Sequence, residues 1–224
     1  KKNKHNDEIK VKGQKLFKSF KYKVPSDPSS CAFFIVLTLL SKNCELKIKN
    51  VNVNQSRVGY IKILNKMGAK IKIKNVRTKY GEKLADILVK SQPTLKKINC
   101  PPSLNSNLID EFLIIFLAAA KANGVSSFSD LGELNKKESP RLKLGSQILN
   151  QLGIKTKLTK DSIKIFGQPN IKLNKNIEIK NYLKDHRIFM MSAVAALSFG
   201  GKWKIHDRDS VKTSFPSFLT IIKK

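Results

Sequence analysis

Lys137, Glu138 and Arg141 stand within five residues of one another, a combination able to move a proton and hold an anion. At the start of a helix, Glu138 and Arg141 would share a face. The plainer reading is a solvated ion pair, worth on the order of a few tenths of a kcal/mol. Arginine is scarce here: only Arg57, Arg77, Arg141, Arg187 and Arg208 occur among 44 basic residues. Where lysine is the default cation, an arginine marks a place that needs a planar fork for carboxylate or phosphate. Arg187 follows His186 in the first turn of an apolar stretch, where a positive charge opposes the helix dipole. That position favours a ligand role over a stabilising one. Asp110 precedes another apolar stretch. From its type and place alone it reads first as a helix cap, and second as a proton acceptor. His186 stands equally as a hydrogen-bond donor and as a structural residue. Lys212, with Thr213, offers a further cation near the end of the chain, and His5 and His206 look incidental.

The elements that must position these groups form a repeat. Three segments begin with a polar turn and an aspartate, then run into an apolar helix: Asp27 before Cys31–Leu40, Asp110 before Phe112–Ala122, and Asp185 before Ile188–Phe199. These helices are apolar on nearly every face, so they belong in an interior. Short strands follow at Glu45–Lys49, Val125–Phe128 and Lys202–His206. Second helices are expected at Val58–Met67 and Arg141–Leu152, each closed by a glycine, Gly68 or Gly153, in the left-handed conformation. Extended stretches Lys70–Lys74 and Lys155–Leu158 lead to closing strands Asp86–Lys90 and Ser162–Phe166. A third second helix near Phe215–Ile222 ends the chain. The order is βαβαββ, repeated. Two more strands, Glu8–Gly13 and Phe20–Val24, precede the first unit and match the tail of an earlier copy. If the units are related by a pseudo-threefold axis, the three buried helices start at one end. Their free N–H groups would gather there into an anion-binding surface.

Composition narrows the class. Hydrophobic residues make up 41% of 224, enough for a packed core. No apolar run reaches the ~18 residues of a membrane span. Neither a membrane partner nor a signal peptide is expected, and the location read from the sequence is cytoplasmic. The first residue is Lys1 rather than Met, so an N-terminal part of the gene product is expected to be missing. Cys31, Cys44 and Cys100 are far apart, in no metal-ligand spacing, and read as structural. No metal and no cofactor is expected. The formal charge of +28 could mark a nucleic-acid binder. Lysine, however, is spread along the whole chain rather than gathered in one block, which favours compositional bias. No nucleic-acid partner is expected.

Four motifs carry a family resemblance. Val24-Pro25-Ser26-Asp27-Pro28-Ser29-Ser30 resembles the V-P-G-D-x-S-S crossover of EPSP synthases. Glu133-Leu134-Asn135-Lys136-Lys137-Glu138-Ser139-Pro140-Arg141 resembles their E-L-R-V-K-E-S-D-R loop, with Asn135 in place of an arginine and Pro140 in place of an aspartate. Asp185-His186-Arg187-Ile188 and the later Asp209–Pro216 segment are similar to their D-H-R-x-A-M and D-S-V-x-T-S-F-P segments. Ile109-Asp110-Glu111 sits where the family has its I-D-E.

The resemblance implies an α/β fold, a pseudo-threefold inverted α/β barrel of βαβαββ repeats with helices inside, truncated at its N-terminus. Residues 1–24 would be the tail of a preceding domain and the crossover. Residues 25–224 would be one enolpyruvyl transferase domain of three repeats, at about 25–91, 92–167 and 168–224. The implied enzyme is a transferase that moves the enolpyruvyl group of phosphoenolpyruvate to the 5-hydroxyl of shikimate 3-phosphate, releasing phosphate. These two small molecules would be its partners, and the complete protein would be a monomer. By the same resemblance, Asp110 is the base at the shikimate hydroxyl and Lys137 contacts the shikimate ligand. Glu138 donates the proton to the methylene carbon. Arg141 and Arg187 clamp phosphoenolpyruvate, and Lys212 and His186 are weaker candidates beside them. A carboxyl acid in Glu138's role calls for burial and crowding. The chain alone is expected to be inactive, since one wall of the cleft would be absent. Two other readings remain: a UDP-N-acetylglucosamine enolpyruvyl transferase-like enzyme, and a basic nucleic-acid-binding module.

Overall fold

The computed structural model describes residues 9–13, 16, 18–92 and 94–223. The chain runs α1 (Pro28–Leu40), β1 (Glu45–Asn52), α2 (Gly59–Lys66), β2 (Lys72–Lys79), β3 (Glu82–Lys90), β4 (Leu95–Lys96) and α3 (Phe112–Ala120). It continues β5 (Ala122–Phe128), α4 (Arg141–Gln151), β6 (Thr156–Leu158), β7 (Ile163–Gly167), β8 (Leu173–Ile179), α5 (His186–Phe199), β9 (Gly200–Ile205) and α6 (Phe218–Ile222). Short 3-10 turns at Pro102–Asn107, Gly132–Lys136 and Arg208–Thr213 join some of these elements.

The three apolar helices α1, α3 and α5 pack on one another inside the molecule. Every residue of α3 is buried. A helix with no polar face has nowhere else to go. The strands form the outer layer in three sheets: antiparallel β1-β3-β2, mixed β4-β5-β7-β6, and parallel β8-β9. The second unit shows the full order β4-α3-β5-α4-β6-β7. In the first unit the opening strand shrinks to one parallel bridge between Ser26 and Val51. α2 and α4 run into Gly68 (φ 96°) and Gly153 (φ 83°), the left-handed stops their sequences foretell.

Gly145, one turn into α4, sets how near that helix comes to α3. A Cβ at this position would meet Leu113 Cδ2 at 2.9 Å. The bare glycine lets α4 settle onto α3, which brings the start of α4 beside the turn before α3.

Neither expected N-terminal strand is present among the described residues. Glu8 and His5 lie outside the described residues; residues 9–13 and 20–24 have no regular structure. Ile9 and Phe20 are 85% and 78% exposed. Their alternating pattern suits a strand, but a strand forms only where a neighbouring strand takes up its backbone hydrogen bonds, and no sheet among the described residues includes this stretch. The last helix is shorter than expected, since Phe215 and Pro216 sit in the turn before it. β8 was not foreseen: its lysines and asparagines mask the alternation, and only Ile177 and Ile179 face inward.

Candidate active site

The starts of α1, α3 and α5 lie together, as the repeat requires. Asp27 and Asp185 are conventional caps. Asp27 Oδ2 accepts from Ser30 N at 2.8 Å, and Asp185 Oδ1 accepts from Arg187 N at 2.9 Å. Asp110 breaks the pattern. α3 begins two residues later, at Phe112, and no side chain caps it. The cap reading of Asp110 is therefore overturned. Its carboxylate turns to cations instead: Arg141 Nη1 at 3.2 Å, Lys137 Nζ at 3.5 Å and Arg187 Nη2 at 3.8 Å. Arg187 Nη1 also donates to the Asp110 carbonyl at 2.8 Å, tying the start of α5 to that of α3.

Arg141 is the centre of the cluster. Its side chain is 1% exposed and meets three carboxylates from three stretches of chain. Nε donates to Asp185 Oδ2 at 2.8 Å, Nη2 to Glu138 Oε2 at 2.5 Å, and Nη1 to Asp110 Oδ1 at 3.2 Å. Ser139 Oγ donates to Asp185 Oδ2 at 2.7 Å. The solvated ion pair that a bland reading gives Glu138 and Arg141 is thus wrong for the arginine. A guanidinium removed from water survives only among matched acceptors. Glu138 itself remains 54% exposed, without the burial its expected role calls for.

The cations set the charge of the acids. Burial would raise Asp110, but Arg187, Lys137 and Arg141 outweigh it and hold the carboxyl below its ordinary value. Burial likewise pushes Asp185 up, and the Arg141 and Ser139 hydrogen bonds with the Arg187 N–H bring it below the usual aspartate. Burial, aided by the Arg187 charge, lowers His186.

The structure brings Asp110, Lys137, Glu138, Arg141 and Arg187 into one cluster. His186 lies at its edge, half-buried at the first position of α5. Lys212 is not drawn in: it is 67% exposed and paired with Asp209 at 2.6 Å. His206 pairs with Glu178 at 2.8 Å, on the β8–β9 sheet. Four members of the network were not singled out as site residues from sequence: Asp185, Ser139, Glu111 and Arg57. Spacing could have found one of them. Arg57 comes 30 residues after Asp27, as Arg141 comes 31 after Asp110. Arg57 Nη2 reaches Asp27 Oδ1 and Ser29 Oγ, both at 3.2 Å.

This geometry has relatives. The chain matches the family described as EPSP synthase (3-phosphoshikimate 1-carboxyvinyltransferase) over residues 1–222. It is 38% identical over 221 residues to a 3-phosphoshikimate 1-carboxyvinyltransferase of Ruthia magnifica subsp. Calyptogena magnifica, covering 97% of this chain and 49% of that protein. It is 41% identical over 209 residues to the protein of the same name from Thermoanaerobacter sp. (strain X514), covering 93% and 47%. The structure of EPSP synthase from Acinetobacter baumannii superposes with a TM-score of 0.84 at 36% identity, over 89% of this chain and 46% of that one. The enolpyruvyl transferase NikO from Streptomyces tendae shares the fold, with a TM-score of 0.65 at 14% identity over 89% and 43%. The chain spans about half the length of the curated relatives it matches. With a matching fold, near-complete coverage of this chain by the family and Asp110, Lys137, Glu138, Arg141 and Arg187 meeting in one cluster, the chain belongs to the EPSP synthase family.

Proposed function

We propose that this chain forms the phosphoenolpyruvate-side wall of an enzyme that transfers the enolpyruvyl group to the 5-hydroxyl of shikimate 3-phosphate, with release of phosphate. The observation that carries this reading is Asp110, a carboxylate that caps no helix, is 35% exposed and is ringed by Lys137, Arg141 and Arg187. Both substrates are anions. Three cations, Lys137 just before α4, Arg141 at its start and Arg187 at the start of α5, suit their phosphate and carboxylate groups.

The roles follow from the chemistry. The sugar hydroxyl attacks C2 of phosphoenolpyruvate and gives its proton to Asp110, while the methylene carbon takes a proton from Glu138. In the second stage that carbon returns a proton to the Glu138 carboxylate, the double bond re-forms and phosphate leaves. Asp110 is held below its usual pKa, so it is ionised and ready to accept near neutral pH. Glu138 lies against Arg141 at 2.5 Å. To deliver a proton it must leave that arginine, and an anionic group of the donor substrate takes its place there. Lys137 meets the shikimate ligand beside Asp110, and Arg187 holds phosphoenolpyruvate from the α5 side. The end that gathers these helix starts faces a cleft closed by a second wall. His186 is a neighbouring hydrogen-bond donor, and Lys212 requires movement of its exposed turn to take part. The division into a crossover tail (1–24) and three repeats within residues 25–224, a monomeric complete enzyme, a cytoplasmic location and independence from metal or cofactor belong to the same reading. Among the described residues, no helix is long and apolar enough to cross a membrane.

The test is phosphate release by the full-length gene product with phosphoenolpyruvate and each acceptor in turn. Turnover with shikimate 3-phosphate supports the reading. Turnover with UDP-N-acetylglucosamine alone would replace it with the sister reaction. No turnover with either, together with a salt-sensitive gel shift on nucleic acid, would favour the basic binding module.

A further inference from the structure

Glu111 is a member of the network that the proposed reaction leaves idle. It follows Asp110 directly, and its side chain is 4% exposed. In the other two units the residue after the aspartate is Pro28 or His186, so a buried carboxyl at this place belongs to the second unit alone. Its Oε1 lies 3.8 Å from Arg187 Nη1 and has no hydrogen-bond partner among the described residues. The other groups that face it come from three sides. Ser29, at the start of α1, stands near the carboxyl and favours its charged form. Arg57, in the turn before α2, donates to Ser29 Oγ at 3.2 Å. The Tyr60 hydroxyl, fully buried on α2 and also without a partner among the described residues, is raised well above the ordinary tyrosine by burial, with the charges of Glu111 and Asp27 adding to the rise. Asp110 stands alongside.

A buried carboxyl with an unmet oxygen beside a guanidinium is costly unless the two act together. Resting on the proposed function, we propose that Glu111 is a positioning residue: its carboxylate holds Arg187 from the buried side, so that the outer face of the guanidinium meets an anionic group of phosphoenolpyruvate. The arrangement divides labour between two adjacent acids. If Asp110 alone balanced Arg187, protonation of Asp110 during the reaction would release the arginine at the moment its grip is needed. With Glu111 as counter-charge, Asp110 takes a proton and Arg187 stays in place. Burial raises the Glu111 carboxyl, while Ser29, Arg187 and Arg57 oppose the rise and Asp110 adds to it. Its charge therefore develops at a higher pH than that of an ordinary glutamate, and the hold on Arg187 strengthens as pH rises through that ionisation.

The experiment compares Glu111→Gln with wild type in the full-length protein, reading KM for both substrates, kcat and their pH profiles. The expected result is a KM for phosphoenolpyruvate raised about tenfold, because a misplaced clamp weakens binding of the group it holds. The KM for shikimate 3-phosphate should not change, and kcat should stay within about threefold. Wild-type KM for phosphoenolpyruvate should fall with rising pH through the Glu111 ionisation, and the variant should be flat over that range. A Gln variant with wild-type KM and the same pH profile overturns the inference. So does an equal loss in every parameter with a lowered melting temperature, which marks a structural role. If wild type does not turn over, the functional reading has failed, and calorimetric binding of phosphoenolpyruvate to the same two proteins decides the Glu111 inference. Weaker binding by the Gln variant at unchanged melting temperature supports it, and equal binding overturns it.

Discussion

Arg57 Nη2 lies 3.2 Å from Asp27 Oδ1. The same distance separates Arg141 Nη1 from Asp110 Oδ1 one unit later. The pairing recurs with the repeat, but the surroundings differ. Arg57 is 53% exposed, whereas Arg141 is sealed among three acids. The two pairs should respond differently to the same change. Arg57→Ala should cost less than about 1 kcal/mol, as for an exposed ion pair. Arg141→Ala strands Asp185 in the interior and should cost about 3–5 kcal/mol. Urea denaturation of both variants measures the contrast, and equal losses would contradict the burial argument.

Asp185 should set an acid limb of stability. Its folded pKa is depressed, so its contribution is fully present above the pKa of an unfolded aspartate. That contribution is lost as pH falls through the depressed value. Denaturation midpoints of wild type should therefore drop on acidification. Asp185→Asn should start lower at neutral pH and lose less over the same interval. A variant whose acid limb runs parallel to wild type would show that the limb comes from other groups.

Asp110→Asn separates the two readings of that residue. If Asp110 were only a cap, asparagine would cap nearly as well, and both stability and chemistry would be little changed. A lost base costs roughly 10²–10⁴ in kcat. Because Asp110 caps nothing, the full-length Asn variant should show the kinetic loss. Asp27→Asn, at a true cap, is the control for stability, since asparagine caps nearly as well and the change should be small.

Gly145→Ala tests how the cluster is built. The added methyl meets Leu113 Cδ2 at 2.9 Å, so α4 must move away from α3 or Leu113 must turn. Overpacking of this kind costs about 1–3 kcal/mol. Movement of α4 carries Arg141 away from Asp110, so the KM for phosphoenolpyruvate should rise along with the drop in melting temperature. A variant that melts earlier with unchanged KM would mean that Leu113 absorbs the strain.

The repeat, the apolar inner helices and the glycine stops were readable because each rests on a local rule of periodicity or backbone conformation. The motif residues Asp110, Lys137, Glu138, Arg141 and Arg187 were readable for a different reason, their likeness to a family pattern. The depth at which each sits was not. Nothing in Lys-Glu-Ser-Pro-Arg says that the arginine is sealed and the glutamate is not, because burial depends on α4 closing on α3 through Gly145. The role of Asp185 was hidden by its competence as a cap, which it also performs. The N-terminal strands failed for the converse reason, since alternation proposes a strand but only a neighbour makes one.

Arg141 draws its acceptors from the turn before α3, the loop before α4 and the start of α5. No pair of these segments can satisfy it without the third. The guanidinium therefore behaves as a coincidence detector. A chain in which α3 or α5 has not docked leaves this cation short of an acceptor, and a chain in which both have docked supplies all three. The cation cluster and the finished interior thus depend on the same docking of α3, α4 and α5, and a half-built barrel lacks the complete cluster.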